Sequence, residues 1–271
     1  MAEFRLKPFN LFSSAVFYCC LWTAQTTQAH TPYLLPSAFE PVINDLITLD
    51  ASFAERFFVP EVVFDGGQFE VITPGGLVVA PDTEVALKTR NVLEHVLTDE
   101  GTYRFSTGKR LGGVFTVYEK GGERHTAHGK SAEIPKDAKV VEQYQSLTLA
   151  ETYVTKGGPT DKALRPRKIG LEIAALTHPN DVFAGDKADF RVLFNGKPLP
   201  KATIDIYLAA DQFSLDKANF SLSSAGDGKF SFLPEQHGVY LMRVRHRAPA
   251  PPEADAPEIS HTYTLVIEAY N

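Results

Sequence analysis

Two stretches near the end of the chain, YLMRVRH (240–246) and ISHTYTLVI (259–267), carry the clearest strand pattern in the sequence. In both, apolar residues alternate with polar ones, the pattern of a β-strand with one buried face. The stretches follow each other, and the loop PAPPEADAPE between them cannot form a core, so we predict an antiparallel pair. Placing His246 opposite His261 makes every other facing pair apolar: Val244 with Tyr263, Met242 with Leu265 and Tyr240 with Ile267.

This register has a chemical consequence at His246 and His261. Directly opposed residues of antiparallel strands have Cβ atoms about 4.5–5.5 Å apart, which suits two imidazoles on one metal ion. A slip of one residue would expose the apolar face, whereas a slip of two residues stays open. A second alternative also stays open, in which the two histidines only cap the end of the strand pair in water.

The rest of the chain also predicts short strands bounded by turn residues. About seven strands in roughly 100 residues predict an immunoglobulin-like or transthyretin-like sandwich for the second domain, 168–271. The polar, Gly- and Lys-rich segment 157–167 predicts a linker, which leaves a first β domain at 30–160. In that domain, GGVFTVYEKGGERHTAHGK (112–130) predicts a strand, a turn and a polar loop that contains two histidines. The predicted fold class is therefore all-β, with two β-sandwich domains.

The first 29 residues have the pattern of a secretory signal. Arg5 and Lys7 supply positive charge, and the apolar run LFSSAVFYCCLWTA (11–24) is too short for a typical membrane span. Cleavage after Ala29 would release a periplasmic protein that starts at His30. A single membrane anchor is the alternative.

Composition and cysteine usage narrow the function classes. The formal net charge of −6 argues against nucleic acid as a partner. Cys19 and Cys20 are the only cysteines and lie in the segment to be removed, so no thiolate metal site is expected. No nucleophile elbow or phosphate-binding glycine loop occurs in the sequence, so we predict no catalytic residues and no enzyme activity.

An amino-terminal His30 would be a metal chelate. Its α-amine, with a reference pKa of about 7.7–8.0, and its imidazole Nδ1 can close a six-membered ring on one ion. Pro32 has no backbone N–H and cannot supply a deprotonated amide ligand. Distant side chains must then complete the site, and His246 and His261 are the best candidates. We expect the loop histidines His125 and His128 to be solvated.

Four stretches carry a resemblance to a known family: AHTPYLLP (29–36), LEIAALTHPNDVFAGDKADFRVLFNGKPLPKATIDIY (171–207), SSAGDGKFSFLPEQHGVYLMRVRH (223–246) and HTYTLVIE (261–268). The chain resembles exported bacterial proteins of a domain-of-unknown-function family, often labelled as periplasmic components of cobalt or nickel transport. The resemblance implies metal-related work in the periplasm. It carries over His30, His246 and His261 as candidate metal ligands.

We therefore expect a periplasmic protein that binds a divalent transition metal and supports its uptake or handling, with a membrane transporter or an outer-membrane receptor as partner. Nickel or cobalt come first and copper second, since imidazole and amine ligands suit all three ions. Two alternatives stay open. One is a structural or receptor-associated β-sandwich module without metal, which a wide separation of the three histidines would favour. The other is a copper enzyme of the histidine-brace kind.

Overall fold

A computed structural model describes residues 30–42, 45–211 and 218–271. Over these ranges the regular secondary structure is β-strand apart from two short 3₁₀ turns, which confirms the predicted all-β sandwich fold. The predicted signal segment, with both cysteines, lies outside the described residues. No helix in the described part of the chain has the length and apolar character that a membrane span needs.

The described residues form strands numbered here in chain order, with two 3₁₀ turns at Lys162–Leu164 and Ala209–Asp211. The strands are β1 Thr31–Pro36, β2 Leu46–Ala54, β3 Val62–Val63, β4 Glu70–Ile72, β5 Val78–Val79, β6 Thr83–Ala86, β7 Asn91–Val96, β8 Gly101–Ser106, β9 Arg110–Lys120, β10 Glu123–His128, β11 Lys139–Lys156, β12 Leu171–Ala175, β13 Ala188–Phe194, β14 Lys197–Pro198, β15 Thr203–Leu208, β16 Phe220–Ser223, β17 Lys229–Phe232, β18 Gly238–Pro249 and β19 Glu258–Ala269.

These strands form three sheets. The first has the order β1-β2-β7-β6, with β3 beside β2. The second is a ten-stranded sheet with the order β16-β15-β18-β19-β11-β8-β4-β5, and the hairpin β9–β10 joins it through β11. The third has the order β12-β13-β14, with β17 beside β13. We call them the first, the long and the third sheet.

Strand β11 connects the two halves of the chain. It is 18 residues long. Along one edge it pairs antiparallel with β9 and then with β8. Along its other edge it pairs in parallel with β19, from Tyr144 opposite Glu258 to Thr152 opposite Val266. The predicted linker at 157–167 follows β11 directly and contains no strand, while the long sheet continues across both predicted domains.

The first and third sheets cover opposite faces of the long sheet. On β11, Ala150 and Val154 pack into a core shared with the first sheet, while Leu149 and Tyr153 pack into a core shared with the third. This division follows from the alternation of side chains along a strand. A smaller cluster, which includes Tyr33 of β1 with Leu241 and Val266, holds the start of the first sheet against β18 and β19. The result is three layers, with the long sheet in the middle.

The register predicted for β18 and β19 is confirmed. His246 faces His261, and the apolar pairs Val244–Tyr263, Met242–Leu265 and Tyr240–Ile267 align as the sequence predicts. All six of these apolar side chains are buried. A slip of two residues would place at least one polar group inside this core, which explains why the observed register is favoured.

The predicted polar loop after Gly122 is instead a strand. Glu123–His128 forms β10, which pairs with β9 from Lys120 opposite Glu123 to Phe115 opposite His128. Gly121 and Gly122, with φ angles of 62° and 85°, form the two-residue turn between them. Both central residues of such a turn need positive φ, which glycine adopts at little cost. The prediction was wrong because the strand is polar on both faces.

A buried group of charges ties β11 to its neighbours. Glu151 is 1% exposed, and its carboxylate accepts hydrogen bonds from Arg167 Nε and from the Tyr263 hydroxyl, each at 2.7 Å. Arg104 Nε lies 3.9 Å from the same carboxylate. Burial alone would raise the pKa of Glu151, but Arg104, Arg167 and the Tyr263 hydrogen bond lower it below its ordinary value. The carboxylate therefore stays charged inside the protein.

Replacing Glu151 tests this cluster. We expect Glu151→Ala to lower the free energy of unfolding by about 3–5 kcal/mol, because two buried guanidinium groups lose their shared carboxylate. Urea denaturation followed by circular dichroism measures the change. The control Glu235→Ala removes an exposed carboxylate and should stay within about 0.5 kcal/mol of the wild-type protein. Equal effects of the two substitutions would contradict the structural role of Glu151.

Candidate functional site

The first strand reaches the last two strands of the chain. Thr264 Oγ1 donates a hydrogen bond to the Pro32 carbonyl at 2.9 Å, and Arg243 Nη1 donates to Thr31 Oγ1 at 3.2 Å. On its other side, β1 pairs antiparallel with β2, with Thr31 opposite Ala54. His30, directly before β1, is thus held near β18 and β19, as the hypothesis of a distant partner for His30 requires.

The neighbours of the His30 ring are carboxylates. His30 Nε2 lies 3.1 Å from Glu61 Oε2 and 4.0 Å from Glu55 Oε1. The backbone N–H of Glu55 donates a hydrogen bond of 3.0 Å to the other oxygen of Glu61, which fixes that carboxylate. All three side chains remain partly exposed to solvent. The arrangement concentrates negative charge and one imidazole at a single accessible place.

His30 and Glu55 lie on the wall of a cleft of about 580 Å³. The cleft lies between the first sheet and the strands β9, β10, β11, β18 and β19 of the long sheet. Its lining combines aromatic rings, hydroxyls and arginines: Phe53, Phe115, Tyr144, Ser146, Thr148, Ser260, Thr262, Arg110, Arg245 and Arg247, among others. We call it the His30 cleft. It combines apolar surface with a few polar groups, the usual composition of a ligand-binding cleft.

The arginines of the His30 cleft are mostly bound to neighbours. Arg110 forms an ion pair with Asp65. Arg247 pairs with Glu142 and stacks over the Tyr144 ring, with its guanidinium carbon 3.9 Å from the ring centre. Arg245 Nη2 donates a hydrogen bond to Thr31 Oγ1 at 3.3 Å.

His246 and His261 lie together on the opposite face of the long sheet. Both rings contact Phe194 of β13 edge to face, with centroid distances of 4.6 Å for His246 and 5.0 Å for His261. Burial lowers the pKa of both histidines. For His261 the neighbouring His246 and Lys109 lower it further, and its pKa is about 4. The Nδ1 atom of His261 is buried and has no hydrogen-bond partner among the described residues. Both imidazoles are therefore neutral at pH 7.

The three predicted ligands do not meet in one site. His246 and His261 lie half-buried against Phe194 on the side of the third sheet, whereas His30 lies on the side of the first sheet. Successive residues of a strand point to opposite faces, so Arg245 rather than His246 faces the His30 cleft. The expectation that His246 and His261 complete a site at His30 is corrected by this geometry.

The histidines predicted to be solvated have aromatic neighbours. His125 stacks on Tyr118 with centroids 5.3 Å apart, and His128 contacts Phe115 at 4.8 Å. His128 also lines the His30 cleft. These contacts follow from the β9–β10 pairing that the sequence interpretation did not include.

Glu55 and Glu61 were missed as partners of His30. They come together because Phe53 of β2 pairs with Val62 of the two-residue strand β3, so the chain between them returns on itself. A strand of two residues has no detectable alternation, so no signal in the sequence predicts this contact.

Among the described residues, no group of three or more His, Cys, Asp and Glu side chains has an arrangement that could hold a metal ion.

Two solved structures are distantly similar to the chain. The FN1–FN3 domains of chicken CNTN1 match with a TM-score of 0.25 and 8% identity, over 90% of this chain and all of that one. The adhesin InvE of Yersinia pseudotuberculosis matches with a TM-score of 0.20 and 9% identity, over 87% of this chain and 58% of that one. At these TM-scores neither similarity informs the function of the chain.

No curated protein matches this sequence. A family model, described as a domain of unknown function, matches residues 27–248 and so spans most of the chain, including His30, Glu55, Glu61 and His246. The chain therefore belongs to the family "Domain of unknown function (DUF4198)".

Proposed function

We propose that the chain is a periplasmic protein that binds a divalent transition metal at His30, after cleavage behind Ala29. Nickel or cobalt is the first candidate and copper the second, and the protein supports uptake or handling of the ion. The observation that carries the proposal is the pairing of His30 Nε2 with the Glu61 carboxylate at 3.1 Å on the wall of an open cleft.

The Glu61 contact favours a metal on the other ring nitrogen. A proton on Nε2, shared with the carboxylate, leaves the Nδ1 lone pair available. Nδ1 is the atom that can form a chelate ring with the α-amine of an amino-terminal histidine. A carboxylate on the second nitrogen is the usual outer partner of a metal-bound imidazole, and it raises the basicity of the ligand. Glu61 thus suits the role of a positioning residue for His30.

The charges around His30 and around the His246–His261 pair indicate which position would bind a divalent cation more tightly. Glu55 and Glu61 provide negative charge beside His30, which favours a divalent cation. Two arginines of the same cleft, Arg110 and Arg247, are already paired with other carboxylates. His246 and His261 form no ion pair with a carboxylate among the described residues, and the positive charge of Lys109 acts on His261. The pair offers two neutral imidazoles but no compensating charge. We therefore assign the tighter binding to His30, with His246 and His261 as a second, weaker position.

The His30 cleft can also supply the remaining ligands. The amine and Nδ1 fill two positions, and Glu55 is near enough to the ring to provide an oxygen after a small movement. Water or a group from a transport partner would complete the coordination. An incomplete set of protein ligands suits a protein that transfers its metal to a partner. Ligand exchange needs a coordination position that the partner can occupy. A membrane transporter or an outer-membrane receptor is the proposed recipient.

The test begins with the processed protein. We expect intact mass and amino-terminal sequencing of the exported chain to show a start at His30. Calorimetric titration with Ni²⁺, Co²⁺ and Cu²⁺ should then show a site with a Kd below about 10 µM. His30→Ala should weaken binding at least about tenfold, and Glu61→Gln about tenfold, the usual effect of removing an outer partner.

Two variants serve as controls for this titration. His237→Ala removes an exposed turn histidine and should leave the Kd unchanged. The double variant His246→Ala with His261→Ala should also leave the Kd of the tighter metal site unchanged. An unchanged Kd after His30→Ala, or a wild-type protein without a site tighter than tens of micromolar, would refute the proposal.

Two observations support a second candidate function, the structural or receptor-associated β-sandwich module without metal. The first is the separation of His30 from His246 and His261 on opposite faces of the long sheet, which favours this alternative. The second is an exposed aliphatic surface. Strands β5 and β6 lie at the edges of two sheets, and this segment exposes several aliphatic side chains: Leu77, Val78, Val79, Val85 and Leu87. Exposed aliphatic groups on edge strands are a common feature of interaction surfaces. A processed protein that binds none of the three metals would favour this second candidate function.

The lowered pKa of His261 predicts a dependence of stability on pH. Its folded value of about 4 lies below the ordinary 6.5, so the stability linked to the neutral ring is complete above pH 6.5. That stability is lost as the pH falls from 6.5 toward 4, because the unfolded chain takes up the proton first. Between pH 7 and 4.5 we expect the wild-type protein to lose about 1–2 kcal/mol more than His261→Leu, a value reduced for partial exposure of the ring. Urea denaturation at both pH values measures the difference, and parallel losses in the two proteins would contradict the prediction.

A further inference from the structure

A second cavity lies on the face of the long sheet opposite the His30 cleft. It has a volume of about 410 Å³ and lies between β4, β5, β8 and the segment that follows β11. Four of its lining residues are cations, Arg104, Lys162, Arg165 and Arg167, and none is acidic. The other walls are glycine and aliphatic: Ile72, Gly75, Gly76, Val78 and Ile169. We call this cavity the basic pocket.

Two buried arginines that line the basic pocket, Arg104 and Arg167, each have one N–H donor without a hydrogen-bond partner among the described residues. Arg104 is 6% exposed, and its Nε atom is buried without a hydrogen-bond partner among the described residues. Arg167 uses Nε and Nη1 for Glu151 and Glu70, but its Nη2 is likewise buried and unpartnered. Arg104 Nε lies 3.9 Å from the Glu151 carboxylate, beyond hydrogen-bond distance. Buried donors are normally satisfied, so these two arginines of the cavity lining are not fully neutralised by the described carboxylates.

The other two cations stand at the mouth of the basic pocket. Lys162 and Arg165 are exposed, and neither forms an ion pair with a described carboxylate. The nearby Glu70 and Glu151 are already bound by Arg167, and Glu172 accepts hydrogen bonds from the backbone N–H groups of residues 167 and 168. Cations therefore outnumber carboxylates around the cavity, with Lys109 adding to the excess.

We infer that the basic pocket binds a phosphate group. The exposed Arg165 guanidinium can bind two oxygens of a phosphate at once, and Lys162 adds a mobile point charge. A dianion would also offset the excess positive charge around the cavity. Gly75 and Gly76 have no side chain, so the oxygens can approach the backbone at this wall. Gly76 has a φ angle of 86°, which a residue with a side chain rarely adopts.

The cavity is larger than a phosphate ion needs. Its volume falls within the range of small-molecule sites, roughly 300–1,000 Å³. Ile72, Val78 and Ile169 offer an apolar surface to an organic group attached to the phosphate. Free phosphate and a small phosphate ester share the recognised chemistry. This site uses none of the residues assigned to the metal, so the two proposals stand or fall separately.

Titration calorimetry in metal-free buffer with a chelator tests the inference. The probes are inorganic phosphate, glycerol 3-phosphate and succinate, all at low ionic strength. We expect at least one of the two phosphate compounds to bind, and the tighter one identifies free or esterified phosphate as the preferred form. Combining Lys162→Gln with Arg165→Gln should weaken that binding at least tenfold. Both side chains are exposed, so the variant should fold like the wild-type protein.

A matched control removes the same charge elsewhere. Lys187→Gln combined with Lys197→Gln alters two exposed lysines outside the basic pocket and should change the Kd by less than twofold. The inference is overturned if neither phosphate compound binds, if succinate binds as tightly, or if the control variant weakens binding as much as the pocket variant does. An unchanged Kd in the pocket variant would overturn it as well.

Discussion

The parallel pairing of β11 with β19 holds the two halves of the chain in one sheet. Nine consecutive residues of β11 are in register with β19, while the same strand bonds β9 and β8 along its other edge. Parallel neighbours cannot be joined by a tight turn, so the chain between them must cross to another layer. Here that connection builds the whole third sheet and three strands of the long sheet. The two halves are thus held by a common backbone ladder in addition to side-chain contacts.

The middle position of the long sheet determines which side chains can cooperate. Each of its strands sends alternate residues to two different layers. On β18, Arg245 enters the His30 cleft while His246 contacts Phe194 under the third sheet. On β8, Tyr103 packs toward the first sheet while Arg104 reaches the basic pocket. The cleft and the pocket are therefore isolated from each other although they are built from the same strands.

The sequence predicts the β18–β19 register because one face of that pair is almost wholly apolar, so only one alignment buries it. It also predicts the placement of His246 opposite His261. The same reasoning cannot predict the β11–β19 contact, since its partners lie more than a hundred residues apart and both strands are buried on two faces. Arg104, Glu151 and Arg167 lie on three separate segments, so no spacing rule brings them together. The neighbours of His30 depend on a two-residue strand, which is too short to leave a pattern.

The bond between Thr264 and the Pro32 carbonyl joins positions 232 residues apart. The order in which the strands become available during synthesis therefore affects how this part of the fold assembles. The first strand emerges early and can pair with β2, but its contacts with β18 and β19 form only after those strands have followed. Contacts of such sequence separation form slowly, because the loop must close before they contribute stability. The surroundings of His30 are completed only when nearly the entire polypeptide is present, so a partly synthesised chain lacks the finished cleft.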